Sequence, residues 1–149
     1  MELFEEIQNA CKTHKVSCEI LNKEDANRYL NDVFKKFDVH KKFGHLSIGH
    51  NVEKIFTEEY ELIYSNYLDE EPIFIFFDQE IYKQKVIRIG NSKKFHSILE
   101  DCYGFEYFLS NENISYLISV NWYVIEATGN QIKNVFKELQ KKSGNIPEY

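Results

Sequence analysis

The sequence predicts an α+β fold, with a mostly antiparallel sheet of about five strands from the C-terminal half and helices packed against it. The first observation is a change in apolar spacing, which is helical before Leu68 and largely extended after Pro72. The second is composition, because 43% hydrophobic residues, with twelve Phe and ten Tyr, suffice for a folded core. With only two prolines and six glycines there is little room for a linker, so residues 1–149 are expected to form a single domain.

The first half is predicted to be mainly helical. Amphipathic spacing indicates helices over residues 2–14 and 22–37, and Asn22 with Asp25 occupies the capping-box positions of the second helix. The apolar residues 16–21 lie between these helices and suit a short extended segment. After a loop that contains two glycines, apolar spacing predicts a third helix over residues 52–68.

Extended segments begin after Pro72. Residues 73–77 (IFIFF) have the continuous apolar character of a buried strand, and residues 85–89 (KVIRI) alternate as a second strand. The chain is then expected to form a helix over residues 93–102, which Gly104 ends in the position where a left-handed residue is favoured.

Three further strands and a helix are predicted for the remaining chain. The strands are expected over residues 105–109, 114–120 and 123–127. A short turn at Asn121 and Trp122 implies that the last two form an antiparallel hairpin, and Asn130 is predicted to cap a helix over residues 131–142. The centres of these faces and strands are predicted to be buried: Phe34, Ile75, Leu99, Tyr116, Ile118, Ile125 and Phe136.

Composition and charge exclude several functional classes. A formal net charge of −6 argues against a general nucleic-acid binder, which needs surplus Lys and Arg on one face. No apolar run approaches the roughly 20 residues of a membrane helix, and the acidic start does not resemble a signal peptide. The three cysteines include no C-x-x-C pair, which suits reduced thiols. The sequence therefore predicts a cytoplasmic protein that binds neither nucleic acid nor membrane.

Patterns that would suggest a cofactor or a catalytic group are incomplete. His40, His45 and His50 recur every five residues, but no second pair of ligands completes a zinc site. Asp78 and Glu80 follow a buried strand, an arrangement that metal-dependent nucleases use for magnesium. A nuclease-like enzyme at this strand end is thus an alternative, although DQEIYKQK also suits a solvated hairpin loop. No cofactor, metal ligand or catalytic residue is predicted.

Residues 51–80 contain nine acidic residues and one lysine, a net charge of −8. One interpretation is an ordinary solvated surface. The other is a docking surface for a basic protein, because such a patch raises association rates and Tyr60, Tyr64 and Tyr67 lie among the acids. The predicted partner-binding residues are Glu58, Glu59, Glu61, Tyr64, Asp69, Glu70, Glu71, Asp78 and Glu80.

The segment GFEYFLSNENISYLISVNWYVIEATGN (residues 104–130) resembles one that recurs in immunity proteins, small bacterial proteins encoded beside polymorphic toxins. The shared elements are an EYFL strand, an asparagine-containing turn, an aromatic strand, a second short turn and a strand that ends in glycine. Residues 87–104 are also similar, so the likeness covers about residues 87–130. Where such proteins often carry a histidine pair, this chain has Trp122 and Tyr123.

The resemblance implies a cytosolic protein that binds and neutralises a cognate toxin domain. Because toxin domains that attack nucleic acids are commonly basic, an acidic inhibitor suits such a partner. An adaptor or small binding protein unrelated to toxins is a further alternative.

Overall fold

The structure is a computed structural model that describes residues 2–148, except for the side chain of Asn130. The predicted helix cap by the Asn130 side chain therefore lies outside the described residues. The helices are α1 (Leu3–Thr13), α2 (Lys23–Phe37), α3 (Thr57–Tyr60), α4 (Phe95–Glu100) and α5 (Asn130–Ser143). The strands are β1 (Cys18–Ile20), β2 (Glu53–Phe56), β3 (Ile73–Phe76), β4 (Val86–Ile89), β5 (Tyr107–Asn111), β6 (Leu117–Val120) and β7 (Val124–Thr128). Two short 3₁₀ helices span Tyr64–Tyr67 and Ser92–Lys94.

The strands form one open antiparallel sheet, which confirms the predicted α+β class. Their order across the sheet is β1-β4-β3-β5-β6-β7-β2, and every neighbouring pair is antiparallel. Within residues 2–148 the sheet has seven strands rather than about five, because β1 and β2 from the first half add to its two edges. The N-terminal half therefore contributes to the sheet as well as to the helices.

The third predicted helix, over residues 52–68, is wrong. Glu53–Phe56 is a strand that pairs with β7, only Thr57–Tyr60 is α-helical, and a 3₁₀ turn follows. A strand of four residues followed by a helical turn can imitate helical spacing of apolar residues. Residues 53–56 are extended because they pair with β7 and satisfy its backbone N–H and C=O groups. The local spacing of apolar residues does not reveal this long-range pairing.

Both faces of the sheet are covered, and each carries its own apolar cluster. On one face, helices α1, α3, α4 and α5 pack over residues such as Ile75, Ile118 and Ile125. On the other, α2 and the loop of residues 38–52 pack over Phe76 and Phe108. Helix α2 begins as predicted, since the Asn22 Oδ1 atom accepts a hydrogen bond of 2.8 Å from the N–H of Asp25. No helix among the described residues is long and apolar enough to cross a bilayer.

Six of the seven predicted core residues are buried: Ile75, Leu99, Tyr116, Ile118, Ile125 and Phe136. The seventh, Phe34, is not fully buried. Phe34 is only partly buried because it lies at the border of the α2 cluster. Its ring contacts those of Phe76 and Phe108 edge-on, each at 5.7 Å between centroids, and the Lys42 ammonium lies 4.8 Å from the centroid of the Phe34 ring.

Candidate protein-binding surfaces

The acidic segment does not form one continuous patch. Asp69, Glu70 and Glu71 precede β3, whereas Asp78 and Glu80 follow it, so strand β3 separates the two groups. Glu58 and Glu59 lie exposed on α3, in the layer that covers one face of the sheet. The fold therefore distributes the predicted docking residues over three places.

Several of these acids have partners within the chain. Asp78 accepts hydrogen bonds from the backbone N–H groups of Gly44, Glu80 and Ile81, at 2.8, 2.8 and 3.3 Å. The Glu71 carboxylate accepts a 2.7 Å hydrogen bond from the Asn111 side chain. A similar bond of 3.1 Å joins Asn91 to Glu70. These contacts show that part of the charge stabilises turns, and the docking role of the acids stays a prediction.

Glu61 is partly buried, and this burial raises the pKa of its carboxyl group. Partial burial removes water from around the carboxylate and so makes its charged form less favourable. Glu61 is thus less suited than the exposed Glu58 and Glu59 to attract a basic partner.

Tyr64 requires a correction, because its side chain is fully buried and cannot contact a partner in this structure. Its hydroxyl lies 2.8 Å from the hydroxyl of Tyr107, and its ring packs edge-on against Phe136 at 6.4 Å between centroids. Tyr60 is also buried and donates a hydrogen bond to the backbone carbonyl of Leu139. Of the three tyrosines in this segment, only Tyr67 is exposed.

The loop histidines point to different partners. The His45 Nδ1 atom lies 2.7 Å from the carboxylate of Glu106, and the His50 Nε2 atom lies 2.8 Å from the backbone carbonyl of Asp38. Across residues 2–148, no three His, Cys, Asp or Glu side chains are grouped as metal ligands would be.

Large apolar side chains gather on a different surface, which we call the apolar rim: Phe43, Ile81, Tyr103, Trp122 and Tyr123. Each of them is between 50% and 84% exposed. Ile81 and Trp122 line a groove of about 440 Å³, and the ring of Tyr123 packs edge-on against that of His45, which lines the groove too. Gly44 and Gly104, the chain neighbours of Phe43 and Tyr103, line it as well. The rim therefore unites four separate loops at one end of the sheet.

The turn that carries Trp122 and Tyr123 is held by Asn121. The Asn121 Oδ1 atom accepts hydrogen bonds from the N–H groups of Tyr123 and Val124, each at 2.9 Å. Its amide nitrogen donates to the backbone carbonyl of Leu46 at 3.1 Å, which ties the turn to the neighbouring loop. The two aromatic side chains are thus presented on a fixed backbone.

Trp122 also requires the close approach of Gly104. A Cβ atom on Gly104 would lie 2.8 Å from the indole ring, which is closer than real contacts allow. The absence of a side chain at residue 104 lets the indole pack against the backbone, so one edge of the ring is fixed while half of it stays exposed.

Carboxylates hold the loop that contains Phe43. Besides the bond from Gly44 to Asp78, the backbone N–H of Leu46 donates to Glu106 at 3.0 Å, next to the His45 contact. Glu126, which is buried, accepts from the N–H groups of Ile48 and Gly49. Because the loop is ordered by these bonds before any partner arrives, binding would cost little further ordering.

Sequence reasoning missed the rim for a physical reason. Phe43, Ile81 and Tyr103 belong to loops that are distant in the sequence, and no local spacing connects them. Trp122 and Tyr123 gave one usable signal, because two bulky aromatic residues occupy a tight turn in which small polar residues are favoured. Exposed aromatic residues point to a binding surface, whereas buried ones are expected in any folded core.

No protein-family model, curated protein or solved structure matches this chain. The resemblance to immunity proteins therefore stays a prediction that rests on residues 87–130.

Proposed function

We propose that this protein binds another protein through the apolar rim, as an immunity-type inhibitor of a toxin domain. The observation that carries the binding role is the rim itself, five large exposed side chains on pre-ordered loops at one end of the sheet, two of which line a groove. Trp and Tyr are enriched at the centres of protein interfaces, where each supplies a large contact area with few rotatable bonds. Large exposed apolar side chains on one side of a protein reduce its solubility, and a partner that covers them would remove this cost.

The immunity role is supported by the part of the rim that lies in the resembling segment. Residues 104–130 form β5, β6 and β7, and the turn between the last two strands carries Trp122 and Tyr123. This is the position at which the resembling proteins often have a histidine pair. Aromatic residues here would adapt the same turn to a different partner.

The charge supports a basic partner. The net charge of −6 attracts a basic domain over a distance, and the exposed acids Glu58, Glu59, Asp69 and Glu70 contribute to that field. In this arrangement the acids increase the association rate, while the apolar rim sets the dissociation rate.

The first experiment tests neutralisation directly. The C-terminal domain of a secreted protein encoded by the adjacent gene is expressed under tight control, with and without this protein, and growth is followed. We expect growth arrest that coexpression relieves, together with a stable complex in size-exclusion chromatography. A neighbouring domain that arrests growth regardless of coexpression, or the lack of any such neighbouring gene, would rule out the immunity role.

The second experiment maps the interface once that complex is in hand. Trp122→Ala or Tyr123→Ala should weaken binding at least about 30-fold, mainly through faster dissociation, as expected for central aromatic residues. Ile146→Ala removes a comparably exposed apolar side chain outside the rim and serves as the control. Glu70→Lys with Glu71→Lys should slow association, and added salt should slow association of the parent protein. If the rim variants bind like the control, the interface lies elsewhere.

A further inference from the structure

The turn between α1 and β1 brings two of the three cysteines together. Helix α1 ends in a Schellman motif, in which the N–H of Val16 donates to the carbonyl of Cys11 at 3.0 Å and the N–H of Lys15 donates to that of Lys12 at 3.2 Å. Lys15 takes the left-handed conformation that this motif requires, with φ of 57°. The chain therefore reverses soon after Cys11, and Cys18 is the first residue of β1.

The side chains of Cys11 and Cys18 meet in one apolar cluster. Cys11 belongs to the buried cluster that covers one face of the sheet, and the partly buried Cys18 packs against it. The Cys11 thiol donates a hydrogen bond to the sulfur of Cys18. Because a hydrogen bond between thiols makes their sulfur atoms neighbours, a small side-chain movement is sufficient to bring them to bonding distance.

Both cysteines lie on backbone that other contacts hold in place. Cys18 pairs with Ile89 of β4, and the N–H of Gly90 donates to the carbonyl of Ser17 at 2.9 Å. At the end of α1, the Nε2 atom of His14 lies 2.6 Å from the carboxylate of Asp101. The pairing of the two thiols is therefore a feature of the fold and does not depend on a mobile loop.

The two thiols differ in reactivity. Their hydrogen bond lowers the pKa of Cys18 and raises the pKa of Cys11, which burial raises further. Cys18 is partly exposed, whereas Cys11 is only 1% exposed. Since the thiolate is the nucleophile in thiol oxidation, Cys18 is the residue that reacts first and Cys11 is placed to react with the product.

We infer that Cys11 and Cys18 form a redox-modification site, which hydrogen peroxide converts into a disulfide between α1 and β1. The Cys18 thiolate attacks one peroxide oxygen, the O–O bond breaks, and the leaving hydroxide takes up the proton that Cys18 has lost. The Cys11 sulfur then attacks the resulting sulfenic acid, so the S–S bond forms, the S–O bond breaks, and the hydroxyl leaves as water with the proton of Cys11. Two thiols are oxidised and one peroxide is reduced to two water molecules.

The disulfide would join the end of α1 to an edge strand of the sheet. At the start of the same helix, Leu3 lines the groove beside the apolar rim, and the Glu6 carboxylate accepts a hydrogen bond of 2.8 Å from the N–H of Tyr103. Oxidation would thus fix the position of a helix that borders the rim. The modification itself does not depend on the function proposed for the rim.

Peptide mapping of the full chain tests the site. The reduced protein is treated with a small excess of hydrogen peroxide, free thiols are blocked with N-ethylmaleimide, and the chain is digested with trypsin. Lys12 and Lys15 lie between the two cysteines, so residues 1–12 and 16–23 separate unless a disulfide joins them. We expect the joined pair, two hydrogens lighter than the separate peptides, with Cys102 in the blocked form. No joined pair, or a disulfide to Cys102, would overturn the inference.

Two variants and an unfolded sample complete the test. Cys11→Ala removes the second thiol, so dimedone, which reacts with sulfenic acids, should label Cys18. Cys102→Ala is the matched control and should form the disulfide within about twofold of the parental rate. In urea the parent should form it at least about fivefold more slowly, because chain proximity alone then brings the thiols together. Equal rates with and without urea, or labelling of Cys102 in place of Cys18, would refute the inference.

Discussion

Replacing Glu126 by alanine should destabilise the protein more than any exposed substitution. Glu126 lies on β7 with 3% of its surface exposed, and its Oε1 atom is the shared acceptor for a loop and a strand. The donors are the N–H groups of Ile48 and Gly49, at 2.7 and 3.2 Å, and the hydroxyls of Ser47 and Ser119, at 3.1 and 3.3 Å. The Lys54 ammonium stands 3.9 Å from Oε2.

The expected magnitude follows from what the substitution leaves behind. The N–H of Ile48 and the hydroxyl of Ser119 are buried, and each buried group without a partner costs about 1–3 kcal/mol. If the Ser119 hydroxyl rotates to another acceptor, Glu126→Ala should still lower the free energy of unfolding by about 3–5 kcal/mol. Glu126→Gln keeps an acceptor oxygen but loses its charge, and should cost about 1–2 kcal/mol.

Urea unfolding followed by circular dichroism measures these costs, and hydrogen exchange locates them. Exchange at the amides of Ile48 and Gly49 should accelerate in Glu126→Ala more than exchange in β3. Glu138→Ala removes an exposed glutamate whose ion pair within the described residues is with Lys141, and should stay within about 0.5 kcal/mol of the parent. A cost below about 1 kcal/mol for Glu126→Ala, or unchanged exchange at Ile48, would show that the carboxylate does not hold this loop.

Three other predictions concern the core, an acid and the thiols. Phe136→Ala should cost about 3–5 kcal/mol in urea unfolding because its ring is fully buried, and a loss below about 1 kcal/mol would contradict that packing. Burial raises the pKa of Glu61, so the folded state holds this proton more tightly than the unfolded chain, and the resulting stability is lost as pH rises through the folded pKa. Glu61→Gln should therefore be more stable than the parent at pH 7, with the difference closing below about pH 4 when melting is measured across pH. A hydrogen bond with Cys11 lowers the pKa of Cys18, whereas burial raises the pKa of Cys102 to about 11. Mass spectrometry after brief alkylation at pH 8 should thus show Cys18 modified before Cys102, and the opposite order would contradict these environments.

The sequence predicted correctly those helices and strands that are determined by residues close together in the chain. Helix α2 combines a cap at Asn22 with apolar residues on one face, and both signals lie within its own residues. The strand pair β6 and β7 likewise follows from two apolar segments separated by a short turn. In each case the interactions that form the element join residues close in sequence, so spacing and turn chemistry were sufficient.

Tyr64 shows where local reasoning fails. Its acidic neighbours and helical spacing suit either an interface or a core, and its burial depends on Tyr107 and Phe136, which are 43 and 72 positions away. The strand character of Glu53–Phe56 depends in the same way on pairing with β7. Identical local patterns have different outcomes because the partner strand or the opposing ring is supplied by another part of the chain.

Composition and spacing established the α+β class, most helices, the C-terminal strands and an uneven distribution of charge. Long-range packing decided which acids remain exposed, since strand β3 separates Asp69 from Asp78 and the turns use several carboxylates as acceptors. It also created the apolar rim, because the sheet brings the loops that carry Phe43, Ile81 and Trp122 to one end. Surfaces of this kind depend on contacts between distant segments, and those contacts form only when the whole sheet folds.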